Sequence, residues 1–175
     1  MVTVLVLVAS GGLLITSAAL VEVFRQLAEI RRTLDLDDSP MALEFQERDL
    51  REAPVDLPPD MLEGHHGLVF LHATCGTCRL VAEAYASAPD RRAIFVIPSE
   101  DVDATPAFRR LAETSQVFAD SDEALAGFLG MDVAPSVVGV EDGRAVGAVG
   151  ISTVRQVKTA LPQATAPRQE SHHVG

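Results

Sequence analysis

Leu68-Val69-Phe70-Leu71-His72-Ala73-Thr74-Cys75-Gly76-Thr77-Cys78-Arg79-Leu80-Val81-Ala82-Glu83-Ala84-Tyr85 contains both cysteines of the chain. Its first six residues form an apolar run of buried-strand length, and the residues behind Cys78 read as a helix. The order is strand, dithiol, helix. A C-x-x-C pair signals redox chemistry mainly where a turn from strand to helix presents it. A helix opening at about Gly76 leaves unpaired backbone N–H groups directed at Cys75, and the positive end of its dipole favours a thiolate there. Cys75 is the expected attacking sulfur. Cys78, one turn further along, is expected to be less exposed and to resolve a mixed disulfide.

Two other readings of the pair stand beside this one. A structural disulfide closing so short a loop would remove little entropy from the unfolded chain. A metal site is the second: His72 lies three residues before Cys75, giving H-x-x-C-x-x-C, and thiolates with imidazole suit zinc or copper. A closed tetrahedral site would need a fourth ligand from His65, His66, His172 or His173.

Residues 2–21 carry no charged side chain. Twenty helical residues at about 1.5 Å each span roughly 30 Å, the thickness of a bilayer's hydrocarbon core. No basic segment precedes the run, so an uncleaved transmembrane anchor over residues 1–24 is expected rather than a removed signal peptide. Arg25, Arg31 and Arg32 follow it, and the positive-inside rule alone places what comes next in the cytoplasm. Val23, Leu27, Ile30 and Leu34 keep helical spacing, so residues 25–41 read as a juxtamembrane helix passing into an Asp-rich linker. A folded domain is expected over residues 42–162, long enough for one core, and a disordered tail over residues 163–175.

Within the domain, residues 42–46 read as a short strand and residues 54–59 as a loop or extended edge. Residues 93–97 are a buried strand. Thr105-Pro106 opens a helix to about residue 113 with Phe108 and Leu111 inward. Residues 115–119 form a further strand, and Ser121 is expected to cap a helix over residues 122–129 that stops at Gly130. Two apolar runs around Asp142-Gly143 form a hairpin over residues 135–149. Ser152 is expected to cap a closing helix carrying Val154, Val157 and Leu161.

Strand, Cys75-Gly76-Thr77-Cys78 helix, strand, helix, Pro135 at the head of a hairpin and a closing helix resembles the thioredoxin fold. The chain is similar to membrane-anchored thioredoxin-like proteins, above all the methylamine-utilisation accessory proteins called MauD and the TlpA-like thiol–disulfide oxidoreductases. The resemblance implies an α/β thioredoxin-like fold, a central mixed sheet flanked by helices, preceded by one transmembrane helix. It implies catalytic roles for Cys75, Cys78 and a cis Pro135, and contact with substrate through Ala134, Thr74, Gly76 and Thr77. It further implies a protein thiol or disulfide as substrate, an upstream redox partner, and an extracytoplasmic domain, against the indication of Arg25, Arg31 and Arg32. The chain departs from the pattern at Thr74, where thioredoxins carry tryptophan, and at Thr77, where proline is common; it has no tryptophan at all. Glu83 and Glu100 are the nearest carboxylates in sequence to the dithiol and read as surface residues.

With 14 basic and 25 acidic residues the formal net charge is −11, which disfavours nucleic acid and anionic lipid headgroups as ligands. The bilayer itself is the expected partner of residues 2–24. No phosphate-cradling glycine loop or H-E-x-x-H motif is present, and no cofactor is expected. Three functions are compatible with these residues: a membrane-tethered thiol–disulfide oxidoreductase, for which the resemblance implies a role in maturing an exported enzyme; a metal chaperone using Cys75, Cys78 and His72; and a thioredoxin-like assembly factor that does not use the dithiol.

Overall fold

The computed structural model of the protein describes residues 20, 22–26 and 39–164, with side chains through Leu161. Residues 20 and 22–26 are helical, and Gln26 Nε2 donates to Glu22 Oε1 at 3.4 Å. The rest of the expected anchor and stalk, and the tail from residue 165, lie outside the described residues. Among those described, no helix is long and apolar enough to cross a membrane.

Residues 39–164 are built on one seven-stranded mixed sheet. Its strands are β1 (Met41–Ala42), β2 (Arg48–Asp49), β3 (His65–Phe70), β4 (Ala93–Pro98), β5 (Gln116–Asp120), β6 (Ser136–Glu141) and β7 (Arg144–Gly150). The order is β1-β7-β6-β3-β4-β5, with β2 also paired to β7. β3, β4 and β5 run parallel, while β6 and β7 run antiparallel to their neighbours. This mixed sheet flanked by helices is the thioredoxin-like architecture that the order of motifs implies.

Alternation along the strands divides the core in two. Val69, Leu71, Phe95, Ile97 and Val137 face one side, where α1 (Gly76–Ser87), α2 (Pro106–Thr114) and α4 (Val154–Ala164) pack through Val81, Tyr85, Phe108, Leu111, Val157 and Leu161. Leu68, Phe70, Ile94, Val96 and Val138 face the other side, covered by α3 (Ala124–Leu129) together with Leu50 and Met61. Both faces of β4 are therefore buried, which is why it reads as an unbroken apolar run; β3 begins earlier than the apolar run at residues 68–73, at the exposed His65 and buried His66, and ends at Phe70. The hairpin closes at Asp142 (φ 48°) and Gly143 (φ 84°), two successive left-handed residues that match the strands' twist.

Three expectations are corrected. The strand anticipated over residues 42–46 shrinks to β1 and reappears as β2, because Leu43 and Phe45 turn into the second core cluster between the two pairings with β7. Ser121 does not cap the next helix. The buried Asp120 does so from the end of β5, its two oxygens accepting from Leu125 N and Ala126 N at 2.9 Å each. A carboxylate offers two acceptors where a hydroxyl offers one, and Asp122 and Glu123 take left-handed φ of 54° and 51° before α3 begins at Ala124. The last helix is capped by Thr153 rather than Ser152. Thr153 Oγ1 accepts from Gln156 N at 3.3 Å, and Gln156 Oε1 accepts from Ser152 N at 2.6 Å and Thr153 N at 3.1 Å, a capping box set one residue later. The strand at residues 93–97, the Thr105 cap and the stop at Gly130 (φ 69°) agree with expectation.

His66, on β3, is 5% exposed and its Nε2 has no hydrogen-bond partner. Burial pushes its pKa below the ordinary value of 6.5. The folded state thus prefers neutral His66, so its contribution to stability is complete above pH about 6.5 and is lost as the pH falls below it towards the lowered folded pKa. Denaturant midpoints measured from pH 7.5 down to about 5 should fall for the wild type more than for His66→Leu. Parallel curves for the two proteins would contradict this assignment.

Candidate functional site

The dithiol sits where β3 gives way to α1, at the end of the sheet from which the β4–α2 and β5–α3 connections also leave. The strand direction is continued by Leu71 N, which donates to Val96 O at 3.1 Å. The chain then turns, with Cys75 N donating to His72 O at 3.1 Å. Cys75 is the N-cap of α1, in extended conformation (φ −82°, ψ 124°), and its Sγ accepts from Cys78 N at 3.2 Å. A sulfur occupies the place usually taken by a serine or aspartate oxygen, and satisfies one of the helix's unpaired donors.

The two thiols are free and differ in access: Cys75 is half-buried, Cys78 fully buried. Burial pushes the Cys78 thiol up to about 12, and the Cys75 sulfur beside it adds to the rise; the backbone at His72 works in the other direction. Across from the dithiol runs the connection into β6. Ala134 is half-buried, Pro135 is buried, the bond between them is cis, and Cys75 Sγ donates to Ala134 O at 3.7 Å. Ile151 N donates to Pro135 O at 2.9 Å, tying this connection to the end of β7. Thr74 and Gly76 are exposed on either side of Cys75, and Thr77 is half-buried. All seven residues singled out from the sequence thus lie at one end of the sheet. Glu83 and Glu100 are exposed, and neither is hydrogen-bonded to a cysteine among the described residues.

Sequence reasoning missed the supports of this turn. Asp101, in the connection from β4 to α2, accepts from Ala73 N at 2.7 Å and lies 3.6 Å from His72 Nδ1. Glu123, at the start of α3, places Oε2 3.8 Å from His72 Nε2. His72 is therefore held between two carboxylates from two other connections. Asp101 is 28 residues from Ala73, and no local pattern announces such a bond. Beside Ala134 a small cavity is lined by Phe70, His72, Val96, Met131, Val133 and Glu123, with Val133 44% exposed at its rim.

The His72, Cys75 and Cys78 set does not close into a metal centre: among the described residues no group of three or more His, Cys, Asp or Glu is arranged to hold a metal ion. His172 and His173 lie outside the described residues.

No family model matches the chain, and no curated protein matches it. Solved structures do. StoA from Bacillus subtilis is 16% identical over 55% of this chain and 81% of its own, with a TM-score of 0.41. The exposed lipoprotein thioredoxin Etrx1 of Streptococcus pneumoniae is 16% identical over 60% of this chain and 88% of its own, at 0.43. A thioredoxin-family thiol:disulfide interchange protein from Chlorobium tepidum is 12% identical over 71% and 96%, at 0.44. Identities this low leave the activity to be argued from the site itself.

Two outcomes are expected of this geometry. Iodoacetamide at neutral pH should label Cys75 alone in the reduced folded protein, with Cys78 reacting only after unfolding; mass mapping that finds Cys78 labelled first would contradict the assignment. Asp101→Ala strips the partner from the buried Ala73 N–H and should lower the unfolding free energy by roughly 1–3 kcal/mol, read by chemical denaturation.

Proposed function

We propose that this protein is a thiol–disulfide oxidoreductase acting on dithiols or disulfides of partner proteins. The observation that carries the reading is the placement of Cys75 Sγ. It caps α1 at 3.2 Å from Cys78 N, stands 3.7 Å from Ala134 O, and lies over a fully buried second thiol. An accessible sulfur at a helix start, beside an inaccessible one, is the pair that disulfide exchange needs.

The cycle follows from these positions. Cys75 attacks one sulfur of a client disulfide, forming a Cys75–client bond and releasing the other client sulfur as a thiolate. Client backbone passes along Ala134, with Pro135, Thr74, Gly76 and Thr77 forming the contact surface. Cys78 then attacks the Cys75 sulfur, closing Cys75–Cys78 and freeing the client dithiol; the two electrons come from the protein's thiols. In the free protein burial holds the Cys78 thiol well above its ordinary pKa. The reverse sequence oxidises a client.

The apolar, uncharged residues 2–21 support tethering to a membrane, and the likeness to MauD supports a client among exported enzymes that depend on disulfides. On this reading the dithiol domain is extracytoplasmic.

Equilibrating the full-length chain with glutathione buffers and trapping thiols tests the proposal. A reversible Cys75–Cys78 couple is expected, a potential near about −270 mV assigning reduction of clients and one near about −120 mV their oxidation. Cys75→Ser should abolish exchange, and Cys78→Ser should arrest it at the mixed disulfide. The absence of a reversible couple at any potential would sink the reading.

A further inference from the structure

The end of the sheet that presents Cys75 carries an excess of negative charge, six carboxylates against two arginines. The β4–α2 connection contributes Glu100, Asp101 and Asp103, the β5–α3 connection Asp122 and Glu123, and the approach to Ala134 contributes Asp132. No Lys or Arg occurs in residues 93–108 or 111–143. The cations of this end are Arg79 on α1 and Arg155 on α4, while Arg91 and Arg92 precede β4, Arg109 and Arg110 lie mid-way along α2, and Arg144 opens β7. Two of the six carboxylates are engaged locally, Asp101 with Ala73 N and both Asp101 and Glu123 with His72. Glu100, Asp103, Asp122, Glu123 and Asp132 are all exposed. Large exposed apolar side chains near the dithiol include Val133, 44% exposed, and Leu80, 58% exposed.

From this we infer that the client is cationic around its disulfide: an extended segment in which Lys or Arg flank the cystine, its apolar part resting on Val133 beside Ala134 and its basic side chains meeting Asp103, Asp122 and Asp132. The inference deepens the oxidoreductase reading and rests on it. A surface of one sign steers an oppositely charged partner to the encounter and repels a like-charged one, in both cases through a rate that depends on salt. The exposed carboxylates act through solvent, so the preference is one of association rate and is screened once the Debye length, about 10 Å at 0.1 M, falls below the spacing of the charges. The chemical step is unchanged: Cys75–client bond formation, then closure of Cys75–Cys78 with release of the client dithiol.

The test uses the reduced full-length chain in nonionic detergent and two cystine peptides that differ only in flanking residues, Lys in one and Glu in the other. Oxidation of the protein is followed by thiol trapping. Each rate is divided by the rate of the same peptide with mercaptoethanol, which removes the effect of the flanking charges on the peptide's own reactivity. Neutral hydroxyethyl disulfide reports the dithiol without charge. At about 20 mM ionic strength the Lys peptide should react on the order of tenfold faster than the Glu peptide, the ratio falling towards one at about 0.5 M. In the Asp103→Asn/Asp122→Asn/Asp132→Asn variant the low-salt ratio should fall several-fold. Equal rates, a faster Glu peptide, or a ratio that survives the triple substitution would overturn the inference, while reaction with hydroxyethyl disulfide would keep the oxidoreductase reading standing. Failure of all three disulfides to oxidise the dithiol would overturn both.

Discussion

A single hydrogen bond, from Cys78 N to Cys75 Sγ at 3.2 Å, gives this protein its centre. It makes a reactive side chain serve as a helix cap, so the start of α1 and the state of the sulfur are one matter. The cap puts the sulfur in the field of the helix's unpaired N–H groups. The helical rise then carries the second cysteine into the core, where burial holds it as a thiol. Replace the sulfur with a group that cannot accept, and the helix loses its cap.

The rest of the fold keeps that cap in position. β3 and β4 are buried on both faces, and the alternation of their side chains divides the core between α1, α2 and α4 on one side and α3 on the other. Residues beyond the end of β3 have no strand partner to fix them, and here the connections take over. Asp101 accepts the Ala73 N–H, Asp101 and Glu123 flank His72, and Pro135 O is tied to Ile151. The site is therefore assembled from four separated stretches of chain around one turn.

That division of labour lets an acidic rim coexist with the exchange chemistry proposed for Cys75. The backbone donors of α1 act on Cys75 at hydrogen-bond distance, whereas the exposed carboxylates act through water and are screened. On the proposed reading, the N–H groups of α1 act on the sulfur at short range, and the exposed carboxylates act at long range on the approach of a partner.

The sequence by itself determined the succession of elements, because each rests on short-range physics: apolar runs for β4 and the second half of β3, Thr105-Pro106 for the start of α2, Gly130 for the end of α3, Asp142-Gly143 for the hairpin. It also marked Cys75 and Cys78 as a pair at a helix start, and the resemblance to the thioredoxin fold added Pro135. Only the tertiary structure decided the details that depend on competition between neighbours or on distant partners. Asp120 displaces Ser121 as a cap because it reaches two N–H groups at once, and Thr153 displaces Ser152 because Gln156 can close a box around it. Leu43 and Phe45 leave the sheet edge for the core. The partnership of Ala73 with Asp101, and the place of His72 between two carboxylates, join residues separated by 28 positions or more, and spacing along a chain carries no record of such contacts.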